Sequence, residues 1–123
     1  MEKKYLLLTV GILGSLAVTI GAFGAHGLKE ILAQNGYTEV FQTANRYHFY
    51  HTFALALLYS LPQTKLSKWA TWGFLIGIII FSGSLYLLAI TKIKWLGAIA
   101  PVGGLAFIVA WLLLGLSLAN NKN

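Results

Sequence analysis

The stretch TANRYHFYHTFALALLYSL, residues 43–61, decides how many times this chain crosses a lipid bilayer. Its second half, from Thr52 to Leu61, is uncharged, but its first half carries Arg46, His48 and His51, and such groups are costly at membrane depth. Three cleaner apolar runs surround it, Tyr5 to Phe23, Trp69 to Ile90 and Trp95 to Ala119, each near the ~20 residues that a bilayer requires. If residues 43–61 did not cross, the termini would fall on opposite sides. The short Pro62 to Ser67 connection would then join the third run to a segment that never crossed. The reading is therefore a single integral membrane domain over residues 1–123, with spans at about 5–23, 43–61, 69–90 and 95–119. In fold class it is all-α: a polytopic membrane protein built as an antiparallel four-transmembrane-helix bundle.

Composition points the same way. Hydrophobic residues make up 58% of the chain and charged residues 10%, more apolar surface than a soluble core of this size can hide. The formal charge is +6, but the basic residues Lys3, Lys4, Lys29, Arg46, Lys65, Lys68, Lys92, Lys94 and Lys122 are scattered among apolar stretches, where helix ends meet headgroups. The implied partner is the lipid bilayer and not nucleic acid. With no cysteine in the chain there is no disulfide framework and no thiolate metal site.

The first run also imitates a secretory signal peptide, since Lys3 and Lys4 precede it and small residues follow, but it is longer than the usual apolar region of ~7 to 15 residues. Its small residues have a packing use. Gly11, Gly14, Gly21 and Ala25 fall on one face, and such stripes let membrane helices approach closely. Gly73 and Gly77, with Ser84, form a second small face in the third span, to which Gly83 adds close approach beside Tyr86. Between the first two spans, Leu28, Ile31 and Leu32 beside Lys29 and Glu30 predict a short interfacial amphipathic helix that Asn35 and Gly36 terminate. Thr38 then reads as an N-cap with Glu39 in the first turn, so the second helix begins before the membrane does. In the fourth span, Pro101 followed by Gly103 and Gly104 predicts a kink. Positive-inside counting sets Lys3, Lys4, Lys65, Lys68 and Lys122 against Lys29, Arg46, Lys92 and Lys94, which places both termini in the cytoplasm.

Four antiparallel spans would gather the polar residues on one face, with His26, Arg46, His48, His51 and Tyr86 as the candidate polar cluster. His48 and His51 are three residues apart, on one helix face, and His26 comes from the first span, so the three imidazoles are weak candidates for a metal or haem site. The competing readings are bonds to backbone carbonyls and neighbouring helices, or a proton relay through groups that titrate near neutral pH. Arg46 reads either as the ion-pair partner of Glu39 or Glu30, or as a clamp for an anion. No catalytic residue is assigned: neither a serine, histidine and acid arrangement nor a pair of carboxylates stands out, which leans away from an enzyme.

Four blocks in order, GAFGAHGL at Gly21 to Leu28, YHFYHTFALALL at Tyr47 to Leu58, FSGSLYLL at Phe81 to Leu88 and LGAIAPVGGLAFIVAW at Leu96 to Trp111, resemble the bacterial membrane family called domain of unknown function 423, related to eukaryotic transmembrane protein 256. The last block departs from the family's usual GAITPIGG at Ala100 and Val102, and Ala110 stands where a glycine usually precedes the tryptophan. The resemblance implies a four-helix protein of the bacterial inner membrane with His26 and His51 at recurrent motif positions, and it brings no substrate or reaction. The function expected is that of a non-enzymatic helix-packing protein, acting with copies of itself or within an envelope complex. The alternative is ligand binding or transport of a metal, haem, proton or small anion at the outer His/Arg cluster.

Overall fold

The computed structural model describes residues 1–120, and every element in them is helical. In chain order these are α1 (Lys3–Ala25), α2 (Lys29–Asn35), α3 (Thr38–Tyr59), α4 (Lys65–Gly77), α5 (Gly83–Thr91) and α6 (Leu96–Asn120). A π-helical turn over Ile78–Ser82 joins α4 to α5 without a break, making one rod from Lys65 to Thr91. Of the basic residues counted for orientation, Lys122 lies outside the described residues.

Three helical stretches are long and apolar enough to cross a membrane: Lys3–Ala25, Lys65–Thr91 and Leu96–Asn120, with mean hydropathies of 2.2, 2.3 and 2.3. α3, which holds the second expected span, falls short of that apolarity. It is instead well enclosed, with eight of its 22 residues buried against two of the 23 in α1. Phe41, Ala44, His48, His51, Leu55 and Leu58 are buried at steps of three and four, one continuous stripe. α3 packs on α1, α2, the whole α4–α5 rod and its π turn, whereas α6 lies along that rod.

Two apolar clusters result. The larger joins Leu6 of α1 to Leu55 and Leu58 of α3, Phe74 and Ile78 of the rod, and Phe107 and Leu114 of α6. The smaller holds Leu32, Phe41 and Ala89, with Ile20 and Tyr86 packed on it. Lys3 lies over the Tyr59 ring, 5.1 Å from its centroid, which ties the start of α1 to the end of α3.

The seam between the rod and α6 is closed by small residues. A Cβ built on Gly73 would stand 2.9 Å from Ala110 Cβ, and one on Gly77 would overlap the Phe107 ring. Gly103 is the tightest point: a Cβ there would stand 2.8 Å from Phe81 Cα and closer still to the Phe81 backbone nitrogen. The neighbour at Gly103 is main chain, which cannot rotate away. On α1, Gly21 faces Asn45 and Gly24 faces the Phe41 ring, but Gly14 only touches Thr52 at 4.0 Å, and nothing comes within 4 Å of Gly11. Gly83 likewise has no such neighbour, so it adds no close approach beside Tyr86.

Local signals resolve as follows. α2 forms where expected, buries Leu32 and ends at Gly36 in the left-handed conformation (φ 76°). Asn35 does more than end it: its side-chain amide donates to the Ala89 and Ile90 carbonyls, 2.9 and 3.1 Å away, which α5 leaves unpaired at its end. Thr38 is not the N-cap of α3. It is already helical, and Tyr37 holds the cap position with no side-chain bond. α6 is one continuous helix with Pro101 inside it, and the π turn of the neighbouring rod backs onto its Gly103. Before α4, Thr64 and Ser67 form a reciprocal capping pair that stops the connection from fraying.

Replacing Gly103 by alanine is expected to destabilise the protein by about 2 kcal/mol, since overpacking against main chain cannot be relieved by a rotamer change. Gly115→Ala, where a Cβ meets nothing within 4 Å, should be neutral or slightly stabilising because alanine favours helix. Thermal unfolding of the two variants in the same mild detergent checks the contrast.

Candidate functional site

The polar residues of α3 do not collect into one cluster. They fan out to different neighbours, because successive positions on the helix point in directions about 100° apart. Asn45 faces α1 and α5 at once: its Nδ2 donates to the Ala17 carbonyl at 2.9 Å and to Tyr86 Oη at 3.0 Å. His48, 3% exposed, meets Tyr86 Oη through Nδ1 at 2.9 Å. Because Asn45 already donates to the phenol, the hydroxyl proton is free to go to His48 Nδ1, which leaves the imidazole proton on Nε2. That Nε2 is buried without a hydrogen-bond partner, beside the backbone of Leu13 but outside bonding geometry. One turn away, Ser82 of the π turn donates to the Ala44 carbonyl at 2.7 Å. A belt of directed bonds thus crosses the interior between the two apolar clusters.

His51 belongs to a second arrangement. Its Nδ1 lies 2.7 Å from the Tyr47 carbonyl and its Nε2 lies 3.0 Å from Trp111 Nε1. A carbonyl only accepts and an indole N–H only donates, so the partners fix the tautomer: Nδ1 carries the proton and Nε2 receives one. The ring also stacks on Phe107, centroids 3.6 Å apart and planes within 5°. Both nitrogens and one face of this imidazole are therefore engaged, and a metal at Nε2 would have to displace the indole. Tyr47, Phe81, Pro101 and Trp111 wall an apolar groove of about 530 Å³ beside it.

His26 and Arg46 stand apart from both. His26 is exposed past the end of α1, in a shallow groove with Val18, Phe23 and Gly27. Among the described residues no three His, Cys, Asp or Glu side chains gather as a metal site, so His26, His48 and His51 do not form the set that their spacing allowed. The reason is the divergence above: the i, i+3 pair is split between Tyr86 on one side and Trp111 on the other. Arg46 is exposed and donates to Gln42 Oε1 at 3.5 Å, one turn back on its own helix, in place of the expected pairing with Glu39 or Glu30. It lines a cleft of about 320 Å³ where the end of α1, α2 and the start of α3 meet. Of the proposed cluster, the structure brings together only His48 and Tyr86. Sequence reading assigned no partner role to Asn45 or Trp111, which decide where His48 and His51 are held. Their signal was present, an amide seven residues before the cleaner half of the span and an indole at the end of the last block.

The family model described as "Protein of unknown function (DUF423)" matches residues 20–104, more than half of the chain. The UPF0382 membrane protein of Staphylococcus epidermidis is 44% identical over 109 residues, covering 84% of this chain and 88% of the relative. The UPF0382 membrane protein YwdK of Bacillus subtilis is 42% identical over 116 residues, 90% of this chain and 93% of the relative. The UPF0382 inner membrane protein YgdD of Escherichia coli is 36% identical over 119 residues, 93% of this chain and 88% of the relative. No solved structure matches the chain.

Tyr86→Phe deletes the hydroxyl on which Asn45 and His48 converge, and it should lower stability by about 1–3 kcal/mol, the cost of leaving buried polar groups unpaired. Asn45→Ala should act through the same belt, so the double variant should lose roughly 1 kcal/mol less than the sum. His26→Ala, at an exposed site, should stay within about 0.5 kcal/mol of the parent. Reversible unfolding in mixed micelles reads all three; strict additivity of Tyr86 and Asn45 would refute the shared belt.

Proposed function

The chain belongs to the DUF423 family of membrane proteins, and from that premise we propose that it is a four-span antiparallel bundle whose role is structural and non-enzymatic, packing with copies of itself or within an envelope complex. α3 is the second crossing in this reading, in spite of its composition. The observation that supports it is the direction of the polar side chains on α3: Asn45 bonds to α1 and α5, His48 to α5, and His51 to α6. A helix too polar to cross alone can cross when neighbouring helices satisfy its polar groups. Asn45, both nitrogens of His51 and Nδ1 of His48 are thereby engaged in bonds between helices, which favours a holding role for them.

What remains for partners is the outer surface. On α1, Gly11 is followed on the same face by Ser15 and Thr19, all exposed, and such four-residue steps of small residues admit a second helix. α2 then lies in the headgroup region. Both termini lie in the cytoplasm, on the side where Lys3, Lys4, Lys65 and Lys68 gather.

Since the chain has no cysteine, single introduced cysteines report topology cleanly. On intact cells a membrane-impermeant maleimide should label Gln34→Cys and Lys94→Cys but leave Gln63→Cys unlabelled until the membrane is opened. Labelling of Gln34→Cys and Gln63→Cys from the same side would mean that α3 does not cross. Native mass spectrometry from mild detergent should give two or more copies or a co-purifying partner, and Gly11→Leu should reduce that species. A strict monomer without a partner counts decisively against the packing role.

A further inference from the structure

Beyond a structural role, we propose that the cleft beside Arg46 binds one anionic phosphate group, the phosphodiester of an anionic phospholipid headgroup. Charge makes the first argument. The Arg46 guanidinium is a cation that calls for an anion wherever the surroundings are not bulk water. The whole chain contains three carboxylates, Glu2, Glu30 and Glu39, and none of them lines the cleft. The contact that Arg46 makes within the chain is with the neutral Gln42, at the long distance of 3.5 Å.

Shape makes the second. Thr38, Gln42, Asn45 and Arg46 form one polar strip along α3, at steps of four, three and one. Asn45 closes the inner end with both amide hydrogens engaged, which leaves the Arg46 guanidinium, the Gln42 amide and the Thr38 hydroxyl as available donors. Gly21 and Gly24 of α1 line the facing wall, where they let α1 close on Asn45 and Phe41, and the cleft opens beside that contact. Planar guanidinium and tetrahedral phosphate match in a two-bond contact.

Position and the remaining wall select a lipid over a free ion. Arg46 lies eight residues, about 12 Å, along α3 from its first residue Thr38. With α2 in the headgroup region, that sets the Arg46 backbone below the interface, from where its long side chain reaches up to the phosphate level. Leu32, Phe41 and Ala25 complete the lining with apolar surface, which suits the glycerol end of a lipid and would only dehydrate inorganic phosphate. The volume of about 320 Å³ has room for a phosphate and its glycerol, while the acyl chains stay in the bilayer.

Native mass spectrometry of the full chain, exchanged into detergent doped with phosphatidylglycerol or phosphatidylethanolamine, tests the site. The parent should retain one phosphatidylglycerol, and Arg46→Gln should weaken that retention by about tenfold, the scale of one charge-assisted two-bond contact. Arg46→Lys should fall between the two. Because Arg46 is exposed, Arg46→Gln should unfold at the parent temperature in lipid-free neutral detergent, so a lost adduct reports binding and not misfolding. Equal retention by parent and Arg46→Gln overturns the proposal. So does displacement of the lipid by millimolar inorganic phosphate, which would assign the cleft to a free anion, or recovery of an acidic protein at Arg46 in place of lipid.

Discussion

A buried polar group has no water to turn to inside a bilayer, and that constraint organises this molecule around α3. Apolar helices in lipid attract one another through packing alone, since hydrocarbon side chains are no better off against a helix than against acyl chains. Close packing has many near-equivalent solutions, and directed bonds do not. Asn45 fixes α1 at Ala17, Tyr86 and Ser82 fix the rod at His48 and Ala44, and Trp111 fixes α6 at His51. Each of these bonds ends on a particular atom, so each selects one register among the sliding alternatives. The helix that is least suited to lipid by composition is thereby the one that positions the three that suit it best.

The π turn serves the same end. An α-helix returns to the same face every 3.6 residues, so steps of four drift by about 40° each. Ile78, Ser82 and Tyr86 are spaced by four, yet Ser82 and Tyr86 both reach α3. The wider π turn over Ile78–Ser82 absorbs the drift of the first step, from Ile78 to Ser82. The backbone then bulges towards α6, and the residue that receives it is Gly103, the one type with no Cβ to collide with Phe81. Pro101 and Gly103 were read together as the cause of a kink in α6, but the glycine serves the neighbouring rod, and α6 itself continues through the proline. Nothing in the spacing of a single sequence distinguishes a glycine that loosens its own helix from one that makes room for another.

How far the sequence could be read follows from the range of the interaction involved. Apolar runs and turn residues act locally, which is why the helices lie where the hydropathy places them and why α2 ends at Gly36. The short interfacial element was legible from Leu28, Ile31 and Leu32, but its anchorage through Asn35 to the end of α5 joins residues more than fifty apart and left no local trace. The family blocks marked the right segments: three of the four bonds of the polar belt end in the third block, at Tyr86 or Ser82, and the fourth joins Asn45, just ahead of the second block, to Ala17. What they did not convey was direction. His48 and His51 lie three apart, and spacing alone makes them neighbours on one face, but a helical face is wide enough for two rings to leave it on either side.

That divergence gives the two histidines different chemistry. His51 is held by an obligate acceptor and an obligate donor, so its tautomer is set from both ends, and its face is covered by Phe107. His48 is held at one end only. Its Nδ1 accepts the last hydrogen bond of a chain that starts at the Asn45 amide, and its Nε2 lies beside the backbone of Leu13 outside bonding geometry. A buried imidazole with an idle nitrogen weakens the structure relative to an apolar residue of the same size unless its other nitrogen does something a hydrocarbon cannot. Here it takes the proton of Tyr86, and without an acceptor at that point the phenol could not be buried beside Asn45 with its hydrogen bonds in order. The idle nitrogen is therefore a consequence of placing Tyr86, and the geometry makes His48 a partner of the rod in the same sense that His51 is a partner of α6.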